Sequence, residues 1–289
     1  MLVTVFTPTY NRAYRIQALY ESLQKQTCKD FEWLVVDDGS TDNTSELFEQ
    51  WQSEKNSFPI RYFKQPNGGK HRAVNFGAKI ADGQVFYIVD SDDQLPANSI
   101  EIIVEEYTKI KDNKEVGGLS GIKAYFDWQK VGGEQNFGTL FCNSLDFRYK
   151  YKIKGDMAEV FKTDVIREYP FPEIEGEKFC PEAVLFQRVA AKYKFYYFYK
   201  KIYLCDYLPD GLTARITKIR MQCPIASTIC YSELVASKVP LFQKIRASIN
   251  YWRFWFCHSD KIKPTVSPIW YFTYPIGLFM HINDKRTQK

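Results

Sequence analysis

The chain has too little of what staples small domains or binds zinc. Its 289 residues include seven cysteines, Cys28, Cys142, Cys180, Cys205, Cys223, Cys230 and Cys257, an odd count with no C-x-x-C pair. Its three histidines form no H-x-x-x-H or Cys/His cluster, which excludes the usual zinc sites and leaves oxygen ligands for any metal. No charged-then-apolar segment opens the chain, so the expectation is a reduced, cytoplasmic protein. No G-x-G-x-x-G follows the first apolar run, and Gly69-Lys70-His71 lacks both the earlier glycine and the Ser/Thr of a P-loop. Dehydrogenases and P-loop NTPases are thereby set aside. There is no short-period repeat. With 45% hydrophobic and 25% charged residues, disordered, fibrous and fully membrane-embedded classes are also excluded.

Aromatic residues, by contrast, are abundant at 17%, which points to a large core, a stacking ligand or a membrane-interface surface. The net charge of +5 is unevenly spread: residues 214–289 hold 12 Lys/Arg against 3 Asp/Glu, and the remainder is slightly acidic. A basic, aromatic end on a near-neutral body suits a polyanionic partner, either membrane headgroups or nucleic acid. No nucleic-acid recognition motif is present, so nucleic acid is not expected.

Leu2–Thr7, Phe31–Val36, Ile60–Phe63 and Val85–Val89 read as short buried strands. Helical spacing follows at Ile16, Leu19 and Leu23, at Leu47, Phe48 and Trp51, and from Ser99 to Ile110. This alternation predicts an α/β fold with a mostly parallel sheet and helices on both faces. The expected organisation is an N-terminal unit over 1–213 and a mainly helical, basic and aromatic region over 214–289.

Each strand runs into a polar cluster: Pro8-Thr9-Tyr10-Asn11-Arg12, Asp37-Asp38-Gly39-Ser40, Asn67-Gly68-Gly69-Lys70 and Asp90-Ser91-Asp92-Asp93. Open α/β sheets bind ligands at the C-terminal strand edge, so the four should converge on one crevice. The second cluster alone could be a turn and helix cap, and the third is a turn signal in any protein. In the fourth, three carboxylates in four residues repel unless a cation or hydrogen-bond donors offset them. A hard divalent cation such as Mg²⁺ or Mn²⁺ fits there, taking carboxylate and phosphate oxygens. Lys70 and Arg72, beside two glycines that permit close backbone approach, offer charge for a phosphate. The parts together describe a metal–diphosphate site.

The segments Val5–Arg12, Leu34–Asp42 and Tyr87–Asp93 closely resemble the family 2 inverting glycosyltransferases of GT-A fold. The resemblance is strong to Pro96 and looser to about residue 210. It implies a nucleotide-sugar donor, usually a UDP-sugar, held by Thr7, Pro8, Tyr10, Arg12, Asp37, Asp38, Gly69, Lys70, Arg72, Asp90 and Ser91. Among these, Pro8, Tyr10 and Asp38 would contact base and ribose. Asp90 and Asp92 would hold ribose and metal, either Mn²⁺ or Mg²⁺. It also implies a saccharide or lipid-linked acceptor and a role in bacterial surface polysaccharides.

The family's general base lies in a stretch reading like E-D-x-x-L-x-x-R, and Pro181-Glu182-Ala183-Val184-Leu185-Phe186-Gln187-Arg188 occupies that place, making Glu182 the candidate base. Pro181 and Glu182 also suit a helix start, and the two readings are compatible. Glu177, Glu159 and Asp156 are the fallback bases, with Lys154-Gly155-Asp156 near the acceptor. Two other classes are weighed. A non-catalytic nucleotide-sugar-binding module would keep the acidic cluster without needing Glu182. A haloacid-dehalogenase-type phosphatase also uses D-x-D, but after a first-strand nucleophile, whereas here the cluster follows the fourth strand and Gln94 follows it.

At the C-terminal end, Leu241, Phe242, Ile245, Ile249, Trp252 and Phe256 fall on one helical face. Pro264–Asn283 has no charged residue and is rich in aromatics, with lysines before it and Lys285 and Arg286 after. Interfacial membrane contact through 241–286, packing on the first unit, and membrane spanning are the three readings, and Pro268, Pro275 and Gly277 count against the last. The expected location is cytoplasmic, peripheral at the inner face of the cell membrane.

Overall fold

The computed structural model describes residues 1–206, 215–259 and 265–287, so the expected boundary at 213/214 lies outside the described residues. The chain runs β1 (Val3–Thr9), α1 (Ala13–Gln24), β2 (Phe31–Asp37), α2 (Thr44–Ser53), β3 (Ile60–Lys64), α3 (Lys70–Ile80), β4 (Val85–Ile88), α4 (Ser99–Thr108) and β5 (Val116–Ala124). It continues through β6 (Thr139–Cys142), α5 (Ser144–Tyr149), β7 (Met157–Lys162), α6 (Thr163–Glu168), α7 (Ala183–Ala190) and β8 (Lys194–Leu204). Four helices follow: α8 (Ile216–Gln222), α9 (Pro224–Ala236), α10 (Leu241–Trp255) and α11 (Tyr274–Thr287), the last entered from a 3-10 turn, Pro268–Thr273.

Every residue of β1 and β2 is buried, because both faces of the sheet are covered and neither set of alternating side chains meets water. Val3, Val5, Trp33, Val35 and Tyr87 face Ile16, Leu19 and Leu23 of α1, Phe48 and Trp51 of α2, and Ile100 and Ile103 of α4. On the other face Phe6, Leu34, Val36, Phe86 and Phe161 meet Ala73, Val74 and Ala78 of α3 and Val184, Leu185 and Val189 of α7. The helix α3 lies close to the sheet because Gly77 has no side chain: a Cβ there would stand 2.1 Å from the Phe6 ring.

The eight strands are ordered β3-β2-β1-β4-β7-β5-β8-β6. The β1–β2, β1–β4, β2–β3 and β5–β8 pairs are parallel, and β4–β7, β5–β7 and β6–β8 are antiparallel. The parallel N-terminal half is as read from the sequence, and the inserted β7 makes the whole sheet mixed. Since β7 alone reverses between β4 and β5, β5 and β8 run in the direction of β1. The C-terminal ends of β1 to β5 and β8, and the N-terminal end of β7, therefore share one edge.

The C-terminal helices are tied into this body. Ala226 and Cys230 of α9 sit in the core under α7. Glu177 accepts the first backbone N–H groups of α9, from Ile225 at 2.6 Å and Ala226 at 2.8 Å, and so caps its positive end. Arg188 of α7 forks onto Glu233 of α9 at 2.7 and 3.1 Å. Beyond them α11 lies on α10, joined by the Arg253–Asp284 pair (2.5 and 2.7 Å) and by Trp252 Nε1 donating to the Trp270 carbonyl at 3.2 Å. The face read for α10 is corrected in part: Trp252 is buried, but Leu241 and Phe242 are exposed, and Ala247, Ser248, Tyr251 and Phe254 complete the buried face. Among the described residues no helix is long and apolar enough to cross a membrane.

Glu177→Ala strips the cap from two backbone donors. It is expected to lower stability in urea unfolding by about 1–3 kcal/mol, and an unchanged midpoint would contradict the capping role.

Candidate active site

Backbone and short side chains first lock the loops at the shared edge. Asn11, at φ 52°, donates its N–H to Ser40 Oγ (2.8 Å) and accepts the Thr41 N–H on Oδ1 (2.8 Å), while the Ala13 N–H binds Asp42 Oδ2 (3.0 Å). Asp37 accepts the Ser40 N–H at 2.7 Å and the Tyr62 hydroxyl at 2.5 Å. Asp38 accepts four donors: Gln65 Nε2 at 2.8 Å, Asn67 Nδ2 at 3.1 Å, and the N–H groups of Gly68 and Gly69 at 2.9 and 2.7 Å. That loop delivers Lys70 as the first residue of α3. Gly69, at φ +99°, must be glycine here, since a Cβ would lie 1.9 Å from the Lys178 carbonyl oxygen.

Lys70 is the centre of the charged cluster. Its Nζ lies 2.6 Å from Asp90 Oδ1 and 2.8 Å from Glu182 Oε1, joining the end of β4 to the start of α7. Burial opposes its charge, but the two carboxylates outweigh that and hold it firmly protonated. The side chains of Lys70 and Asp90 are about a third exposed and that of Glu182 is 58% exposed, so the cluster opens to solvent. Behind it, the Asp90 N–H donates to Tyr203 Oη at 2.9 Å, and that hydroxyl donates to the buried Asp93 at 2.6 Å. The Lys123 ammonium sits 4.2 Å from the Tyr203 ring centre. Burial works against the Lys123 charge, and the carboxylates of Asp90, Glu159, Asp93 and Glu182 more than offset it. Glu159, opposite Ser120 in the β5–β7 register, is pushed up to about 7 by burial, with Lys123 pulling the other way. Asp92 is raised by burial and by the charge of Asp90, with Arg12 opposing; Asp90, despite its burial, is held below its ordinary value by Lys70 first, with Lys123 and Arg12 adding to it.

The structure thus brings together Lys70, Asp90 and Glu182, with Arg12 close enough to act on Asp90 and Asp92. Tyr10 is 47% exposed, while Pro8 and Ser91 are buried. Several expected roles need correction. Thr7 Oγ1 is spent on Trp33 Nε1 at 3.0 Å inside the core, so its side chain faces no ligand. Arg72 lies two residues beyond Lys70, about 200° around the helix, and its Nη2 donates to the Ile174 carbonyl at 2.8 Å instead of pointing at the cluster. Asp37 and Asp38 have oxygens engaged by the chain itself, and those hydrogen bonds shape the loops. Glu177 caps α9 and is not a free base. Lys123, Tyr203 and Asp93 went unassigned. Asp93 belongs to the acidic run, and a lysine in the otherwise uncharged Leu119–Ala124 is the one signal for Lys123.

The donor set suits a hard cation. Among the described residues no three His, Cys, Asp or Glu side chains form a closed metal cage. Mg²⁺-type sites often take one or two carboxylates plus substrate phosphates, which Asp90 and Asp92 match. The raised Asp92, pushed up by burial and by Asp90, marks an excess of negative charge that a cation would relieve.

The sequence profile described as "Glycosyl transferase family 2" matches residues 4–154, just over half of the chain and the whole of the first four strand ends. The chain belongs to glycosyl transferase family 2. Glycosyltransferase GlyG of Streptococcus pneumoniae serotype 4 (strain ATCC BAA-334 / TIGR4) is 29% identical over 213 residues, 67% of each chain. Chondroitin synthase of Pasteurella multocida (strain Pm70) is 36% identical over 110 residues, 38% of this chain but only 11% of the synthase. Among solved structures, S. aureus TarS 1-349 in complex with UDP-GlcNAc superposes with TM-score 0.63 at 17% identity, covering 100% of this chain and 92% of that one. Mannosyltransferase PcManGT from Pyrobaculum calidifontis, in complex with GDP-Man and Mn2+, gives TM-score 0.57 at 18% identity, covering 98% and 75%. These likenesses show the shared fold, and the GT-A architecture expected from the strand-end segments is the one observed. The phosphatase alternative falls with the family.

Two tests follow from this geometry. Gly69→Ala forces a Cβ into the Lys178 carbonyl and strains a positive φ, so the unfolding free energy should drop by roughly 1–3 kcal/mol; a neutral result would mean the loop is not closed as described. Glu159 titrates higher folded than its ordinary 4.5, so stability present below that value is lost as pH rises through about 7. Glu159→Gln removes the loss, and its thermal midpoint should gain on the wild type between pH 5 and pH 8; a constant gap would contradict a raised Glu159.

Proposed function

We propose that this glycosyltransferase moves a sugar from a nucleotide-sugar, a UDP-sugar in the first instance, to a hydroxyl of a saccharide or lipid-linked saccharide, with inversion and with Mn²⁺ or Mg²⁺ as cofactor. One observation carries the reading: a single ammonium, Lys70, stands between the acidic strand end at Asp90 and the exposed carboxylate of Glu182. That arrangement supports a cation for a diphosphate leaving group beside a base for an acceptor.

An acceptor hydroxyl is far too weak an acid to ionise alone. Glu182 takes its proton as the oxygen bonds to the anomeric carbon and the bond from that carbon to the diphosphate oxygen breaks, a role worth roughly 10²–10⁴ in rate. Attack opposite the leaving group inverts the anomeric centre. Lys70 stays protonated throughout and steadies the charge that develops on the diphosphate. Pro8, Tyr10 and the loops shaped by Asp37 and Asp38 line the nucleotide end. Asp90 and Asp92 would hold the divalent cation, which supplies further positive charge to the leaving group. The UDP and UDP-GlcNAc complexes of TarS and the GDP-Man complex with Mn2+ support a nucleotide-sugar donor.

Residues 1–213 then form the donor and catalytic unit, and 214–289 a helical region that braces it through α9. A cytoplasmic protein, peripheral at the inner membrane face through 241–286 and serving cell-surface polysaccharide assembly, completes the reading. The basic excess of the C-terminal region supports this placement.

Titration calorimetry with UDP is expected to show binding that Mn²⁺ strengthens and Asp92→Ala abolishes; failure of UDP, GDP and CMP alike would overturn the donor site. Glu182→Gln should keep UDP binding while cutting turnover, read as UDP release, by about 10²–10⁴. Unchanged turnover in that variant would move the base elsewhere, and absence of turnover in the wild type with every donor would favour the non-catalytic binding module.

A further inference from the structure

The C-terminal helical hairpin is built inside out. In the stretch from Pro268 to Thr287 the buried positions are Thr273, Gly277, His281 and Asp284, which are polar or small, whereas Ile269 (72% exposed), Phe272 (60%), Ile276 (50%) and Phe279 (72%) face solvent. Ile276 and Phe279 stand about 60° apart around α11, and Phe272 lies in the 3-10 turn that leads into it. A water-facing surface helix normally shows the opposite arrangement, and contiguous exposed apolar stripes mark contact sites.

The helix cannot relieve this by turning over. A Cβ at Gly277 would stand 2.4 Å from Trp252 Cβ, so only this side of α11 can lie against α10. Arg253 and Asp284, both largely buried, fix the same register with two charged hydrogen bonds. Thr273 adds a third tie through Ser248 Oγ at 2.6 Å. The stripe is thus held outward by the packing that anchors its back.

We propose that this stripe, Ile269, Phe272, Ile276 and Phe279, docks the chain on a bilayer surface bearing anionic headgroups. Charge selects this occupant over a second copy. Residues 214–289 carry 12 Lys/Arg against 3 Asp/Glu, so two such regions brought face to face repel, while an anionic surface attracts them. Arg286 lies two helical turns beyond Phe279 on the same side and is exposed, as is Lys285 next to it, placing cations beside the apolar residues as interfacial helices do. Tyr271 and Tyr274 pack edge-on against Trp252, with ring centres at 5.0 and 5.1 Å, and so brace the turn that carries Ile269 and Phe272. The inference names the surface behind the peripheral placement proposed above and is independent of the chemistry at Lys70.

The test is co-sedimentation of the full chain with phosphatidylcholine vesicles with or without phosphatidylglycerol, alongside analytical ultracentrifugation without lipid. The wild type is expected to partition onto the phosphatidylglycerol vesicles, more weakly at high salt and on phosphatidylcholine alone. The Phe272→Glu/Phe279→Glu double variant should lose roughly tenfold or more of that partitioning. Because both rings are exposed, its thermal midpoint and UDP binding should match the wild type, and Phe272→Ser/Phe279→Ser provides the same test without added charge. Loss of vesicle binding with UDP binding intact supports the docking surface whatever the donor site does. No partitioning of the wild type, or equal partitioning of both double variants, overturns it, as does a wild-type dimer that the substitutions dissociate without any vesicle binding.

Discussion

The placement of one ammonium group organises this molecule. Lys70 reaches Asp90 and Glu182 together only because four separate requirements are met. The parallel strands must end in register so that β4 delivers Asp90 to the crevice. Asp38 must gather the loop from Gln65 to Gly69. Gly69 must take a positive φ against the Lys178 carbonyl. The helix α7 that follows Glu182 must be held in place, and Arg188 in its last turn ties it to α9. Loss of any one moves the ammonium or one of its partners, and a lysine that is largely desolvated without its carboxylates is costly.

The wider charge pattern gives that placement its chemical sense. Arg12, Lys70 and Lys123 alternate with Asp90, Asp92, Asp93, Glu159 and Glu182, so the edge carries more negative than positive groups before anything binds. Asp93 and Glu159 are both pushed up to about 7, first by burial, with Asp90 adding to the rise of Asp93 and Lys123 opposing that of Glu159. In the proposed reaction a divalent cation would relieve that excess, and a diphosphate would meet it together with Lys70 and Arg12. The Tyr203 hydroxyl, accepting from the Asp90 backbone and donating to Asp93, keeps the acidic strand end from splaying under its own repulsion.

Much of this was legible in the sequence because local signals and topology agreed. Apolar runs such as Phe31–Val36 end at polar clusters, and parallel strands with helical crossovers bring such ends to one edge by construction. What the sequence concealed came from distant pairing. Nothing local tells that β7 inserts antiparallel between β4 and β5, an insertion that sets Glu159 beside the strand from which Lys123 acts on Asp90. The helical phase at the start of α3 was legible in principle: Lys70 and Arg72 cannot face the same way on one helix, yet composition alone groups them. Thr7 misled for a similar reason, since it belongs to a strand-end motif while its side chain points into the core toward Trp33. Glu177 looked like a spare acid because the helix end it caps lies nearly fifty residues later.

In the proposed reaction Lys70 exchanges a carboxylate for a phosphate when the donor arrives. The most direct measurement is a crystal structure of the chain with UDP and Mn²⁺. The account predicts Lys70 Nζ at about 2.7–2.9 Å from a phosphate oxygen, with Glu182 no longer paired to it and open toward the acceptor side. UDP bound elsewhere, or bound in this crevice with Lys70 still bridging Asp90 and Glu182 and touching no phosphate, would contradict it.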